Sequence, residues 1–239
     1  MKKIHIFYSH HNVKKTDNKN RPGWFDYEKC FLNLLNTISN EQNIKLNVMM
    51  DGKIDLNWIS KYKNLYKYYE FDGGNMDTVT KKVYSFIKDY ECDNEDLIYV
   101  LENDYLHVNN WYSKINAAFT DLGGLAYVSL YDHADKYYDP IYYRLVSQLV
   151  VTSNHHWRTT PSTCGSYVTK KSIFLEDFDE HTGINIPIGD HHKWLYLNKT
   201  KNRIMLTPVP GLSTHCMKGL LSPTIDWQKI NDFSYNTNV

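Results

Sequence analysis

The 239-residue sequence has few cysteines, no long hydrophobic segment and no excess of either charge. Its four cysteines, at 30, 92, 164 and 216, are widely scattered, which excludes zinc-finger spacing and a small disulfide framework. We therefore expect reduced thiols in a cytoplasmic protein. Apolar runs such as 145–151 are far shorter than the ~20 residues of a membrane helix, so no membrane span is expected.

Charge gives little support for a nucleic-acid ligand. Basic and acidic residues number 27 each, whereas a protein that holds duplex DNA through its phosphates usually carries a basic excess. The chain starts basic and then apolar, but His5 and the polar residues 9–11 interrupt any signal-peptide core, which favours a buried strand. The 20 tyrosines have two open explanations: a compositional bias, or aromatic platforms for a ring-shaped ligand.

The first hundred residues alternate between strand and helix patterns. Apolar segments at 4–8, 44–50 and 96–101 predict strands, and helical apolar spacing at 24–39 and 76–90 predicts helices. A further strand is predicted within 61–71. This order indicates an α/β fold with a parallel sheet and right-handed crossovers. The second half is more irregular, with strands predicted at 125–130, 145–153, 166–169 and 203–207, a polar turn at 155–165, and a helix from Asp190.

Polar clusters follow the predicted strands. They lie at 9–21, at Asp51-Gly52, at 73–75 and at 102–104. Because ligands of open parallel sheets bind beyond the carboxyl ends of the strands, these clusters predict a binding site at that edge.

Glu102-Asn103-Asp104 directly follows a strand predicted to be buried. Two hard oxygen ligands separated by one residue can point to the same side and hold Mg²⁺ or Mn²⁺ beside a diphosphate. The plain alternative is a pair of solvated carboxylates at a strand end.

The whole pattern resembles the GT-A class of nucleotide-sugar glycosyltransferases, with 101–105 as their acid-x-acid motif. Those enzymes combine a Rossmann-like first half with that motif and a late histidine at the metal site. Segments 21–25, 130–133, 157–160 and 222–227 also look like motifs of compact glycosyltransferases in phages and large viruses. Asn103 departs from the pattern, since a third acidic residue is frequent there.

The resemblance implies one GT-A domain over 1–239, with a mixed, mostly parallel central sheet flanked by helices. Residues 1–105 would bind the nucleotide sugar and 106–239 the acceptor. Asp104 would ligate Mn²⁺ or Mg²⁺ together with His215, which is otherwise an ordinary loop histidine. Glu102 would orient the ribose or a metal-bound water.

The remaining donor contacts would come from polar groups at the strand ends and from one arginine. Asp51 and Asn75 would bind the base and the ribose, and Arg158 the diphosphate; Ser9, Gly74 and Asn103 complete the set that we predict to bind the donor. Plain alternatives stay open: Asp51 begins a turn, 73–75 is a helix entrance, and 157–163 is an exposed loop.

Asp190 is predicted to begin a helix, at the position where inverting GT-A enzymes place the general base for the acceptor hydroxyl. The alternative is a helix cap, a role that aspartate also suits. His191 and His192 are other candidate proton acceptors. The cluster 132–136, with a histidine between carboxylates, could serve the acceptor or form a solvated hairpin.

The function that the sequence favours is metal-dependent transfer of a sugar from a nucleoside diphosphate sugar, with UDP expected, to a hydroxyl by inverting displacement. The acceptor would be a modified DNA base, a glycan or a protein, and a DNA acceptor would need a basic groove, for which 14–21 is the candidate. The alternatives are a nucleotidyltransferase, although its usual glycine-rich first loop is missing, and a non-catalytic carbohydrate-binding protein. The expected location is the cytoplasm, that of an infected host cell if the phage resemblance holds.

Overall fold

A computed structural model describes residues 2–11, 19–184 and 190–233. The chain divides into two units, each assembled from three segments. The first unit comprises 1–16, 42–103 and 164–203, and the second comprises 17–41, 104–163 and 204–239.

The described strands are short and numerous. In chain order they are β1 (Ile4–His11), β2 (Ile44–Asp51), β3 (Lys67–Phe71), β4 (Leu97–Glu102), β5 (Tyr105–His107), β6 (Tyr127–Val128), β7 (Leu149–Val151), β8 (His156–Thr159), β9 (Tyr167–Lys170), β10 (Met205–Pro208) and β11 (Ser213–His215). The α-helices are α1 (Tyr27–Ile38), α2 (Met76–Asp89), α3 (Trp111–Asp121), α4 (Asp135–Tyr138), α5 (Lys171–Glu176), α6 (Phe178–Thr182), α7 (Asp190–Lys201) and α8 (Trp227–Phe233). The described residues also form three 3₁₀ helices, at Ile54–Leu56, Trp58–Leu65 and Pro140–Tyr142.

The first unit contains the parallel sheet that the strand–helix alternation predicts. Its strands lie in the order β3-β2-β1-β4-β9, and every neighbouring pair is parallel except β4 and β9. The central strands bury Ile6, Val48 and Ile98 completely, as expected for parallel strands that are covered on both faces. Helix α2 begins where the Asn75 side chain accepts the Thr78 N–H, and it buries Val83 and Ile87.

The second unit has a smaller mixed sheet and a separate two-stranded ribbon. The strand order is β6-β10-β8-β7, with β6 and β10 parallel and the other pairs antiparallel. The ribbon pairs β5 with β11 antiparallel. A buried cluster of Cys30, Leu106, Cys216 and Trp227 packs α1 and α8 against this ribbon.

The predicted fold class is confirmed: the fold is α/β, with a mixed, mostly parallel central sheet flanked by helices. One local prediction is wrong, and one helix was missed. The segment expected to be a polar turn contains β8, in which Trp157 is fully buried between more exposed neighbours. Helix α3 was not predicted, although Trp111, Ile115 and Ala118 have helical spacing and are buried. The division of function between 1–105 and 106–239 stays a prediction.

Within the described ranges, no helix has the length and apolar character needed to cross a bilayer.

Candidate active site

The carboxyl ends of the first unit's central strands bring predicted site residues to one edge of its sheet. In the parallel register Ser9 pairs with Met49 on one side and with Glu102 on the other. His11 pairs with Asp51 two residues further along. The prediction that these polar strand ends share an edge is therefore confirmed.

Asp51 and the glycine turn after β3 are joined by a hydrogen bond. The Gly73 N–H donates to Asp51 Oδ1 at 2.6 Å, and a Cβ on Gly73 would lie 2.2 Å from Val79 Cγ2. Gly74 has φ +81°, a conformation that favours glycine. Asn75 caps α2 through its side-chain oxygen. The turn and the helix entrance considered from the sequence are both present, and contact with a nucleoside stays a prediction.

His10 links the acid-x-acid motif to the loop after β2, and the sequence pattern did not predict this role. Its Nε2 lies 3.0 Å from Asn57 Oδ1, and its Nδ1 lies 3.0 Å from Asn103 Nδ2. The edge of Trp58 packs on the ring at 5.1 Å. Burial lowers the pKa of His10 to about 4, so the imidazole is neutral at pH 7.

The backbone fixes which nitrogen of His10 carries the proton. Asn57 Oδ1 accepts the Ile59 N–H, and Asn57 Nδ2 donates to the His11 carbonyl, so the orientation of this amide is determined. His10 Nε2–H must therefore donate to Asn57, which leaves Nδ1 as an acceptor for Asn103 Nδ2–H. The Asn103 amide can donate a hydrogen bond to His10 Nδ1, whereas a carboxylate cannot. This requirement explains why Asn103 departs from the acidic pattern.

Glu102 is half-buried and lies close to the loop before β9. The backbone N–H of Glu102 donates to Ser166 Oγ at 3.1 Å. A Cβ on Gly165 would lie 3.1–3.3 Å from the carboxylate atoms of Glu102, so a larger residue at 165 would crowd this side chain. Neither Gly165 nor Ser166 carries a sequence signal for this contact.

The second unit brings Asp104 and His215 together, although 111 residues separate them. The ribbon is responsible, because β5 follows Asp104 directly and its Tyr105 pairs with His215 at the end of β11. Asp104 Oδ2 lies 3.0 Å from His215 Nε2. Both residues are buried, and the Tyr105 ring stacks on His215 at 5.2 Å.

Two basic side chains, Lys19 and Arg21, contact the same oxygen of Asp104 as His215 does. Lys19 Nζ and Arg21 Nη2 each donate to Oδ2 at 2.8 Å. Arg21 is held in place by the Cys216 carbonyl, the Tyr27 hydroxyl and the face of Phe25, 4.3 Å from its guanidinium carbon.

Burial raises the pKa of the Asp104 carboxyl, but the His215 and Lys19 interactions outweigh burial and hold that pKa well below its usual range. The carboxylate is therefore ionised at neutral pH. Of the predicted basic groove 14–21, Lys19 and Arg21 point to Asp104, while Lys14 and Lys15 lie outside the described residues.

The Asp104–His215 pair has the donor chemistry of a Mn²⁺ or Mg²⁺ site. Within the described part of the chain, Asp104 Oδ1 is buried without a hydrogen-bond partner, so one hard ligand oxygen is available there. Imidazole nitrogen suits Mn²⁺ better than Mg²⁺. Two protein ligands would leave the other positions to water and phosphate oxygens, as such ions prefer. The residues fit the ion, and metal binding stays a prediction.

Arg158 is paired inside the second unit. Its Nη2 donates to Asp132 Oδ1 at 2.6 Å, and the Tyr137 hydroxyl donates to Asp132 Oδ2 at 2.6 Å. His133 is buried and bonds Thr163 Oγ1 at 2.9 Å, so 132–134 is not a solvated hairpin. A role of Arg158 toward a diphosphate stays a prediction.

Asp190 is the first residue of α7, as predicted, and its side chain is 48% exposed. Partial burial raises the pKa of its carboxyl, and Lys193 Nζ, 3.8 Å away, partly opposes this rise. Residues 185–189 before it, including Gly189, lie outside the described residues. Whether Asp190 acts as a general base stays a prediction.

Comparison with solved structures shows which fold this is. The chain superposes with CMP:2-keto-3-deoxy-manno-octonic acid synthetase in complex with CTP at TM-score 0.53 and 10% identity, over 98% of this chain and 99% of that one. It superposes with GalNAc-T7 in complex with UDP, GalNAc and Mn²⁺ at TM-score 0.60 and 10% identity, over 90% of this chain and 43% of that one. The fold is of the GT-A type.

A third similar structure is 4-diphosphocytidyl-2C-methyl-D-erythritol synthase from Anaerococcus prevotii, at TM-score 0.51 and 11% identity, over 98% and 95% of the two chains. No known family profile and no curated protein matches the sequence. At these identities the superpositions establish the fold alone, so the function depends on the chain's own residues.

Proposed function

We propose that this chain is a metal-dependent glycosyltransferase that moves a sugar from a nucleoside diphosphate sugar, most simply a UDP-sugar, to a hydroxyl acceptor. The observation that carries the proposal is the buried Asp104–His215 pair with its unpartnered carboxylate oxygen, at a position adjoining Glu102 and Asn103 in the chain. The fold is shared with GalNAc-T7, whose structure contains UDP and Mn²⁺. The narrower resemblance to phage and virus enzymes stays part of this proposal.

In this proposal Asp104 and His215 hold the ion. A bound divalent ion supplies neutralising charge for the leaving diphosphate. The contacts with His215 and Lys19 keep the Asp104 carboxylate ionised, and the charges of Lys19 and Arg21 add to the positive potential at the same point. Arg158 is proposed to add charge toward the diphosphate, with Asp132 fixing its guanidinium.

The donor nucleoside is proposed to lie at the strand ends of the first unit. Asp51 and Asn75 would offer oxygen acceptors to base and ribose, and Glu102 would orient the ribose. Ser9, Gly74 and Asn103 would form the adjoining backbone and amide contacts. In inverting displacement, Asp190 would take the proton of the acceptor hydroxyl while the sugar–phosphate bond breaks. A carboxyl whose pKa is raised toward the working pH suits that task.

A nucleotidyltransferase is the second candidate, because the two synthetases named above match the chain over nearly their entire lengths. The two reactions differ in products. Glycosyl transfer releases a nucleoside diphosphate, whereas nucleotidyl transfer consumes a nucleoside triphosphate and releases pyrophosphate.

The test is a product assay. The protein is incubated with Mn²⁺ and a panel of UDP-sugars, or with nucleoside triphosphates and sugars, and UDP and pyrophosphate are quantified separately. Asp104→Asn serves as the matched inactive variant. The proposal expects UDP release that depends on Mn²⁺ and on Asp104. Pyrophosphate release would favour the second candidate, and binding of sugars without either product would favour a carbohydrate-binding protein. With a donor in hand, mass spectrometry of DNA, glycan and protein acceptors identifies the substrate.

A further inference from the structure

A second group of metal-ligating side chains lies in the first unit, at the opposite end of its parallel strands from Ser9 and Glu102. His5 stands near the start of β1, and Cys92 and Asp96 lie on the segment that leads into β4. Because β1 and β4 are parallel neighbours with His5 opposite Ile98, the fold places this segment beside His5.

The three side chains converge closely. His5 Nε2 lies 3.0 Å from Asp96 Oδ2, and one ligand atom from each of His5, Cys92 and Asp96 lies within 4.8 Å of the others. Among the residues that the structure describes, no other group of three His, Cys, Asp or Glu side chains meets this criterion. His5 is buried, while Cys92 and Asp96 are half-buried, so an ion could enter from the solvent side.

The surrounding structure fixes two of these ligands. The Lys3 N–H donates to the other oxygen of Asp96 at 3.3 Å, and the Tyr90 ring packs edge-on against His5 at 5.3 Å. Among the described residues the second ring nitrogen of His5, Nδ1, is buried and has no hydrogen-bond partner. Since Nε2 is the nitrogen that faces Asp96, Nε2 is the atom that would ligate an ion, and Nδ1 would then carry the imidazole proton.

We propose that His5, Cys92 and Asp96 form a zinc site, separate from the candidate active site. A nitrogen, sulfur and oxygen donor set favours a borderline-soft ion such as Zn²⁺ and disfavours Mg²⁺ and Ca²⁺, which prefer oxygen. Thiolate and carboxylate together balance the charge of a divalent ion, and the thiol proton leaves to solvent on binding. Three protein ligands leave a fourth position for water.

The role that follows is structural. The ion would tie the beginning of β1 to the segment before β4, at the edge of the sheet opposite the strand ends proposed to bind the donor. Zinc that binds the folded chain at 100 times its Kd should raise Tm by roughly 5–10 °C.

Cobalt(II) titration followed by absorption tests this site, because sulfur ligation gives a near-UV charge-transfer band and four-coordinate cobalt gives strong visible bands. We expect both in the wild-type protein at one equivalent, with loss of the bands when Zn²⁺ displaces cobalt. Cys92→Ser should abolish the charge-transfer band. Cys164→Ser, at another half-buried cysteine, should keep it, and so should His215→Ala.

Absence of the sulfur band in the wild-type protein, its persistence in Cys92→Ser, or its loss in Cys164→Ser would overturn the proposal. Circular dichroism and Tm without metal check that each variant folds. If Cys92→Ser does not fold, Asp96→Asn tests the same site. We expect this variant to bind Zn²⁺ at least tenfold more weakly than the wild-type protein, and an unchanged affinity contradicts the site.

Discussion

Substituting Asn103 with aspartate should destabilise the protein in a pH-dependent way, because His10 Nδ1 faces this side chain as a lone-pair acceptor. Its other nitrogen, Nε2, already donates its proton to Asn57. In Asn103→Asp a carboxylate oxygen would replace the donor that lies 3.0 Å from Nδ1, so two acceptors would face each other. The change alters one functional group and almost no volume.

The expected cost at pH 8 is about 1–3 kcal/mol, that of a buried polar group left without its partner. In the wild-type protein the pKa of His10 is lowered by burial to about 4, against about 6.5 in the unfolded chain. The contribution of the neutral His10 to the free energy of unfolding of the wild-type protein is therefore fully present above pH 6.5. It declines as the pH falls toward 4. Between pH 8 and pH 5 the decline is about 2 kcal/mol.

The carboxylate in Asn103→Asp would raise the pKa of His10 and remove most of that decline. The stability difference between wild type and variant should therefore shrink by about 2 kcal/mol on going from pH 8 to pH 5. Urea unfolding in EDTA, followed by tryptophan fluorescence, measures this stability difference at each pH. Asn75→Asp is the matched control, because a carboxylate caps α2 as well as the amide does. A difference that stays constant or widens at pH 5 would refute the assigned proton position of His10.

Three further predictions concern single side chains. Asp190→Asn should keep Tm near wild type and lower the transfer rate about 10²–10⁴-fold if Asp190 is the general base; transfer above a tenth of wild type contradicts this role. Asp51→Ala should weaken UDP binding by about 1–3 kcal/mol in calorimetry, and an unchanged affinity removes Asp51 from the donor site. Gly165→Ala should lower stability in urea unfolding more than Gly123→Ala does, because a Cβ at 165 would lie 3.1–3.3 Å from the Glu102 carboxylate, which must shift, whereas a Cβ at 123 would have no atom within 4 Å; equal effects contradict the crowding of Glu102.

The local pattern of apolar and polar residues was sufficient to predict the sheet of the first unit. The strands β1, β2 and β4 are short, mainly apolar segments that are largely buried, and each is followed or ended by polar residues. Since parallel strands align their carboxyl ends, the pattern also predicted that Ser9, Asp51 and Glu102 share an edge. The same alternation of strands and helices predicted the α/β class.

Elements whose burial depends on distant partners were harder to predict. The strand β8 reads as polar because Arg158 and Thr159 are charged or hydroxylated, yet Arg158 is neutralised by Asp132, 26 residues away. The segment forms a strand because β7 and β10 pair on either side of it. Neither fact is visible in a local window.

Side-chain networks were the least predictable part. The pairing of Asp104 with His215 was predicted only from the GT-A resemblance. In the structure the β5–β11 ribbon brings the two residues together. His10 meets partners 47 and 93 residues away, so no spacing rule could find it. Its only sequence signal is its position at the end of a predicted strand, where polar residues tend to be functional.

Calorimetric titration of UDP in the presence and absence of Mn²⁺ tests the central claim most directly, since it measures whether Asp104 and His215 form a metal-dependent nucleotide site. The account predicts that wild-type protein binds UDP with Mn²⁺ and not in EDTA, and that Asp104→Asn and His215→Ala each lose this binding. His156→Ala, at an exposed histidine of the same unit, should retain it. Unchanged UDP affinity in both site variants, or equally tight binding in EDTA, would contradict the metal site and leave Lys19 and Arg21 as the source of positive charge.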